Sequence, residues 1–250
     1  MINRTELVAY CNKFLQIELF KDYCPNGLQV EGGGSISRIV SGVTASQALI
    51  NAAAEYQADV LLVHHGFFWK GENPVLSGIK KQRIKSLLIN DINLLAYHLP
   101  LDAHKTLGNN VLLAERLGLS VEKFFAANDI ALVGNFIGQK EQSGAEFKQH
   151  ISRVLEREPL HVEADRTIVK VGLCSGAAQS YIEQAVELGV DAFISGEISE
   201  NTWHIARENN IHYFAAGHHA TERYGVKALG EHLASQFELE HQFIDIPNPV

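Results

Sequence analysis

Two stretches of this chain carry one pattern, and that repetition narrows the possible folds more than any other feature of the sequence. Ser41-Gly42-Val43-Thr44-Ala45-Ser46-Gln47, followed by Gln57-Ala58-Asp59-Val60-Leu61-Leu62-Val63, resembles Cys174-Ser175-Gly176-Ala177-Ala178-Gln179 followed by Gly189-Val190-Asp191-Ala192-Phe193-Ile194-Ser195. Asp59 and Asp191 align 132 positions apart. A second correspondence, 120 positions apart, sets His98-Leu99-Pro100-Leu101-Asp102 over His218-His219-Ala220-Thr221-Glu222. Both segments end an apolar run and carry His-x-x-x-carboxylate. Any two strand–helix units share a hydrophobic pattern, but matched polar residues at matched strand ends are not demanded by it. The sequence therefore predicts an α/β fold of two similar α/β domains, residues 1–125 and 126–250, produced by internal duplication.

Local periodicity fills in the frame. Apolar residues recur at helical spacing over 5–19, with Thr5 as cap, and Cys24-Pro25-Asn26-Gly27 reads as a turn. Strand-like runs at 36–43, 59–63 and 92–97 alternate with helical patterns at 45–56 and 80–90. That alternation is the signature of a largely parallel sheet. A helix is expected at 109–117, a strand at 130–137 and a helix at 145–155. Gly32-Gly33-Gly34 precedes a strand instead of following one, so it is read as a flexible turn and not as a phosphate loop.

Composition excludes several classes of function. Lys+Arg 21 against Asp+Glu 29 gives a net charge of −8, and no basic cluster is interleaved with aromatics, so there is no strong sign of nucleic-acid binding. Cys11, Cys24 and Cys174 are odd in number and widely spaced, which fits a reducing cytoplasm better than a disulfide framework. No run approaches the ~18 apolar residues of a membrane span, and the first residues show no secretory h-region. A soluble cytoplasmic protein is the expectation.

The chemistry lies where apolar strands end. His64 and His65 close Val60-Leu61-Leu62-Val63; His98 and Asp102 follow Leu94-Leu95-Ala96-Tyr97; His218, His219 and Glu222 follow Tyr213-Phe214-Ala215-Ala216-Gly217. In open parallel sheets, ligands bind beyond the carboxyl ends of the strands, so these groups are expected in one cleft between the two halves. A mixed His/Asp/Glu set suits Zn, Mn, Fe, Co or Ni better than Ca or Mg. Adjacent strand residues point to opposite faces, which suits His64 and His65 to one ligand for each of two ions. His218 and Glu222 share a face if a helix begins near Gly217. Pro100 interrupts its segment, so Asp102 is expected as a ligand and His98 in a supporting, proton-moving role. Glu197, beside Gly196 at the strand end equivalent to His64-His65, is a second candidate for proton transfer.

Asn26-Gly27-Leu28-Gln29-Val30, Val63-His64-His65-Gly66, His98-Leu99-Pro100-Leu101-Asp102, Gly108-Asn109-Asn110, Gly196-Glu197 and Gly217-His218-His219-Ala220-Thr221-Glu222 occur in this order. Together they resemble the GTP cyclohydrolase I type 2 homologue family, the NIF-three-like proteins, in the short bacterial form and over essentially the whole chain. The resemblance implies two similar α/β domains, a dinuclear metal centre at their cleft, and a toroidal homohexamer with its sites facing an internal cavity. It assigns His64, His65, Asp102, His218 and Glu222 as metal ligands. The leading expectation is a hydrolase using two divalent ions on a small-molecule substrate, a nucleotide or purine ring, with His98 or Glu197 moving protons. The competing expectation is a non-enzymatic metal-binding ring or interaction scaffold.

Overall fold

The computed structural model describes residues 1–138 and 140–250. In chain order the first elements are β1 (Ile2–Asn3), α1 (Arg4–Phe14), β2 (Gly27–Val30), β3 (Ser35–Ile36), β4 (Arg38–Thr44), α2 (Gln47–Glu55), β5 (Val60–His65), α3 (Gly78–Ile89) and β6 (Asn93–Ala96). There follow α4 (Leu99–Ala103), α5 (Asn109–Arg116), β7 (Leu119–Phe125), β8 (Ala131–Phe136), α6 (Gly144–Leu155), β9 (Leu160–Val162), β10 (Lys170–Leu173) and α7 (Ile182–Glu187). The chain closes with β11 (Ala192–Ser195), α8 (Glu200–Glu208), β12 (His212–Ala215), α9 (His218–Thr221), α10 (Arg223–Phe237) and β13 (Glu240–Phe243). Caps account for several boundaries. The α1 cap is Asn3, whose side chain accepts from Thr5 N–H, so the helix starts earlier than a Thr5 cap would place it. Ser46 caps α2, and Ser143 with Glu146 forms a reciprocal capping box on α6.

The chain divides into two compact units, residues 1–101 with 225–247, and residues 102–224 with 248–250. The expected boundary near residue 125 is therefore corrected in two ways. The hairpin of β7 and β8 pairs through β8 with β10, so residues 119–136 belong to the second sheet. Returning at the end, β13 lies parallel to β4, with Glu240 opposite Arg38 and Phe243 opposite Ser41. Neither pairing is a local property of the sequence.

The first unit holds a five-stranded sheet in the order β13-β4-β5-β6-β2, parallel except at the β2 edge. Along β5 the side chains alternate between two cores. Val60 and Leu62 join Leu7, Ile39, Leu95 and Leu229, whereas Leu61 and Val63 join Val40, Leu49, Leu94 and Ala96. A strand covered on both faces must be apolar throughout, which is why this one reads as a continuous run. The Gly32–Gly34 turn is held, not flexible: Gly33 N–H donates to Asp91 O at 2.8 Å, and a Cβ on Gly32 would stand 2.3 Å from the same oxygen.

The second unit holds a six-stranded sheet in the order β7-β8-β10-β11-β12-β9. Its centre, β10-β11-β12, is parallel; β8 and β9 flank it antiparallel. One core of Leu132, Phe147, Val171, Leu173, Ile194 and Phe214 fills it. The three parallel strands β10-β11-β12 correspond to β4-β5-β6, and the duplication is visible in hydrogen bonds. Asp59 Oδ2 accepts from Ser37 N–H and Arg38 N–H at 2.7 and 2.9 Å; Asp191 Oδ2 accepts from Val169 N–H and Lys170 N–H at 3.0 and 2.9 Å. Each carboxylate thus secures the start of the preceding strand. Further along, the register pairs Val63 with Ala96 and Ser195 with Ala215, so the last strands correspond 119 positions apart, not 120. His98 then matches Gly217, and the two His-x-x-x-carboxylate segments are out of register by one residue.

Candidate metal centre

In the first unit β5 carries His64 and His65 to the carboxyl end of the sheet, and His98 follows β6. Strict alternation would send His64 and His65 apart. At this strand terminus their ring centroids are instead 4.6 Å apart, with His98 at 5.1 and 5.6 Å from the two. One ring nitrogen from each of the three lies within 4.8 Å of the others. Each ring is held through Nδ1. His64 Nδ1 donates to Tyr97 O at 2.9 Å, His98 Nδ1 to Asp22 Oδ1 at 2.7 Å, and His65 Nδ1 stands 3.2 Å from Thr44 Oγ1. A carbonyl or carboxylate can only accept, so Nδ1 of His64 and of His98 carries the hydrogen and Nε2 is the nitrogen each neutral ring offers as a ligand. Metal-binding histidines are oriented in this way.

Asp22 is built for that orienting duty. Its carboxylate also accepts from Asn26 Nδ2 at 2.8 Å and Leu99 N–H at 3.0 Å, and Asn26 Oδ1 accepts from His98 N–H at 2.8 Å. Burial would raise the Asp22 pKa, but the bonds and charge from His98 and the bond from Asn26 leave it below the usual value. Cys24 lies within ligand reach of Asp22 and His98, yet burial and the Asp22 charge push its thiol up to about 12, so it stays protonated.

Pro100, expected to interrupt its segment, is accommodated in the first turn of α4, where no backbone donor is needed, and Asp102, the first residue of the second unit, follows in the same helix. Asp102 is 5% exposed and accepts from Asn109 Nδ2 at 2.8 Å and Ser175 Oγ at 3.2 Å. Asn110 locks the neighbouring turn, accepting from Ser175 N–H at 2.7 Å and donating to Ile130 O at 2.8 Å. A carboxylate oxygen of Asp102 lies within 4.8 Å of one from Glu222.

Gly217, at φ 100°, turns the chain into α9, and the expected pairing of His218 with Glu222 is present: His218 Nε2 stands 3.1 Å from Glu222 Oε2. On the other side His218 Nδ1 donates to Glu197 Oε1 at 2.7 Å. This bond to Glu197, the residue expected as a proton carrier, fixes the His218 ring. Burial would lower the His218 pKa, but Glu222 and then Glu197 raise it to about 9. Gly176 makes room for this arrangement. At φ +63°, a Cβ there would lie 2.2 Å from Glu222 Oε1 and 3.3 Å from His218 Nε2. Burial and the charges of Asp102 and Glu222 hold the Cys174 thiol well above its ordinary range, so it is no thiolate ligand.

Asp22 was not singled out by the sequence, and Thr44, Ser175 and Gly176 stood inside its repeated segments without a role. Asn26, Asn109 and Asn110 stood inside recognised motifs without a role. Nothing local marks the contacts of Asp22 or Thr44, because their partners lie 76 and 21 residues away.

The donor set fits a divalent transition ion: imidazole nitrogens with fixed tautomers and paired carboxylates, without a thiolate. Strand-end donors on parallel α/β sheets define the class, an α/β protein with groups of His and carboxylate residues that could hold metal ions. The chain belongs to the Duf34/NIF3 (NGG1p interacting factor 3) family, whose profile matches residues 2–249. It is 55% identical over 246 residues to a "GTP cyclohydrolase 1 type 2 homolog" of Pseudomonas aeruginosa, covering 97% of each chain. It is 54% identical over 254 residues to the protein of the same name in Vibrio cholerae, covering 100% of each. A solved structure described as protein ybgI, of unknown function, superposes with a TM-score of 0.96 at 47% identity over 100% of both chains. Among the described residues no helix is long and apolar enough to cross a membrane.

Proposed function

We propose that this chain is a metal-dependent hydrolase acting on a nucleotide or purine ring, with His64, His65, Asp102, His218 and Glu222 holding two divalent ions. The observation that carries the reading is the use of Nδ1. His64, His98 and His218 each donate it to a carbonyl or carboxylate, which leaves Nε2 as the donor atom. The naming of close relatives as GTP cyclohydrolase homologues supports a nucleotide substrate. Divalent ions, when bound, supply Lewis-acid polarisation and lower the pKa of water to near neutrality.

The chain's own residues do the rest. Asn109 and Ser175 aim the Asp102 carboxylate, and Glu197 sets the His218 ring. His98 is the group assigned to proton transfer: its Nδ1–H is committed to Asp22, so Nε2 takes up or gives a proton while Asp22 stabilises the imidazolium. The family resemblance extends this reading to a toroidal homohexamer in the cytoplasm, which sedimentation analysis of the purified protein tests.

The function is tested by loading the protein with Zn, Mn, Fe, Co or Ni, counting ions by elemental analysis and screening nucleotides for product. Two ions per chain, metal-dependent turnover and its loss in Glu222→Ala are expected. Two ions with no metal-dependent product across the screen would overturn the hydrolase and leave the metal-binding ring or scaffold.

A further inference from the structure

The turn after β5 places three consecutive aromatics in three different settings. Phe67 is 5% exposed and part of the core, and Phe68 lies under the Lys80 ammonium, 4.9 Å from its ring centroid. Trp69 is set against the histidines: its indole centroid is 5.1 Å from His98, perpendicular, and 6.0 Å from His65, tilted. It is only half-buried, and among the described residues no ring lies parallel to it.

This placement is enforced by the backbone. A Cβ on Gly66 would stand 2.1 Å from Gln29 Oε1, the oxygen that accepts Phe67 N–H at 2.6 Å. Phe68 adopts φ 64°, a left-handed conformation that a bulky residue takes only when its surroundings require it. Trp69 N–H donates to Glu72 Oε2 at 3.2 Å, Lys70 N–H donates to Tyr23 O at 2.6 Å, and Glu72 is tied to Lys80 at 3.0 Å. A strained, tied loop that ends in a half-exposed indole beside candidate reactive imidazoles is more than core packing needs.

We propose that Trp69 is a stacking platform for the planar heteroaromatic ring of the substrate, fixing that ring beside His65 and His98. Every nucleobase has a π face, and an indole already held at its contacts with His98 and His65 offers its own at little cost in entropy. The assignment rests on the purine or nucleotide reading above and names the contact that recognises the ring.

The chain has two tryptophans, Trp69 and Trp203, so Trp203→Phe leaves Trp69 as the only indole reporter. In that full-length, metal-loaded protein, guanosine 5′-monophosphate is expected to change Trp69 fluorescence saturably, and ribose 5-phosphate, which lacks the base, is not. By calorimetry, Trp69→Leu is expected to bind the nucleotide roughly 5- to 150-fold more weakly, the equivalent of one base–aromatic stack of about 1 to 3 kcal/mol. Trp69→Phe is expected to stay within a few-fold, with metal content unchanged in both. Equal affinity in Trp69→Leu, an equal response to ribose 5-phosphate, or no saturable nucleotide binding overturns the platform. Failure of the hydrolase reading shows separately: nucleotide binding that depends on Trp69 without turnover leaves the platform standing, whereas turnover with unchanged KM in Trp69→Leu removes it alone.

Discussion

The carboxyl ends of β5 and β11 occupy the same position in two copies of one strand arrangement, yet they carry different chemistry. β5 ends in His64 and His65; the equivalent positions after β11 are Gly196 and Glu197. Thr44, whose hydroxyl meets His65, corresponds to Gly176, which leaves space for Glu222. His98 corresponds to Gly217. The first unit therefore gathers three imidazoles, and the second gathers carboxylates around one imidazole. At the opposite ends of the strands the copies agree, since Asp59 and Asp191 accept the same pair of backbone N–H groups. The comparison teaches where a duplicated sheet can diverge. The entry to a strand needs its backbone donors satisfied in both copies, whereas the loops at the exit carry no ladder and can specialise.

The sharpest way to break this comparison is to empty one end at a time. His64→Ala/His65→Ala and Asp102→Ala/Glu222→Ala are each expected to abolish tight metal binding, read as ion content after dialysis. A double variant that keeps two ions would remove its residues from the proposed ligand set.

Glycine against threonine comes next. Gly176→Ala forces a Cβ into the Glu222 carboxylate at a left-handed backbone position, and a 10- to 100-fold loss of metal affinity by titration calorimetry is expected, the scale of losing an orienting group. Thr44→Ala removes only the hydroxyl beside His65 and should cost less than Gly176→Ala. The reverse ranking would mean that the two positions are not used differently.

The conserved ends should respond alike. Asp59→Ala and Asp191→Ala each orphan two backbone donors, and urea unfolding is expected to show a loss of about 1.5 to 3 kcal/mol for each. The larger value should fall to Asp191, which is 7% exposed and also pairs with Arg166.

The smallest effect concerns pH. His218 has its pKa raised from 6.5 to about 9 in the folded, metal-free chain. Its contribution to stability is thus fully present below pH 6.5 and is lost as pH rises through about 9. The metal-free protein should lose Tm across that window, and His218→Gln should flatten the loss. A bound ion must displace the same proton, so apparent metal affinity should fall as pH drops below about 9. Affinity independent of pH over that range would take His218 out of the ligand set.

Much of the fold was legible because its signals are local. Residues 60–63 announce a buried strand by being apolar throughout, and helical spacing announces α2 and α6, whereas the α1 cap fell on Asn3 instead of Thr5 and Pro100, read as an interruption, lies within the first turn of α4. The histidines and carboxylates at strand ends were legible for the same reason, since a run and its last residue are neighbours. Other features required the folded chain. The unit boundary depends on β13 crossing back to β4, and the one-residue slip between the His-x-x-x-carboxylate segments depends on ladder register. The roles of Asp22, Thr44 and Gly176 depend on partners brought together by the path of the backbone. Periodicity and capping act over a few residues and are written in the sequence itself; hydrogen bonds across tens of residues exist only once burial of the sheets has brought their partners together.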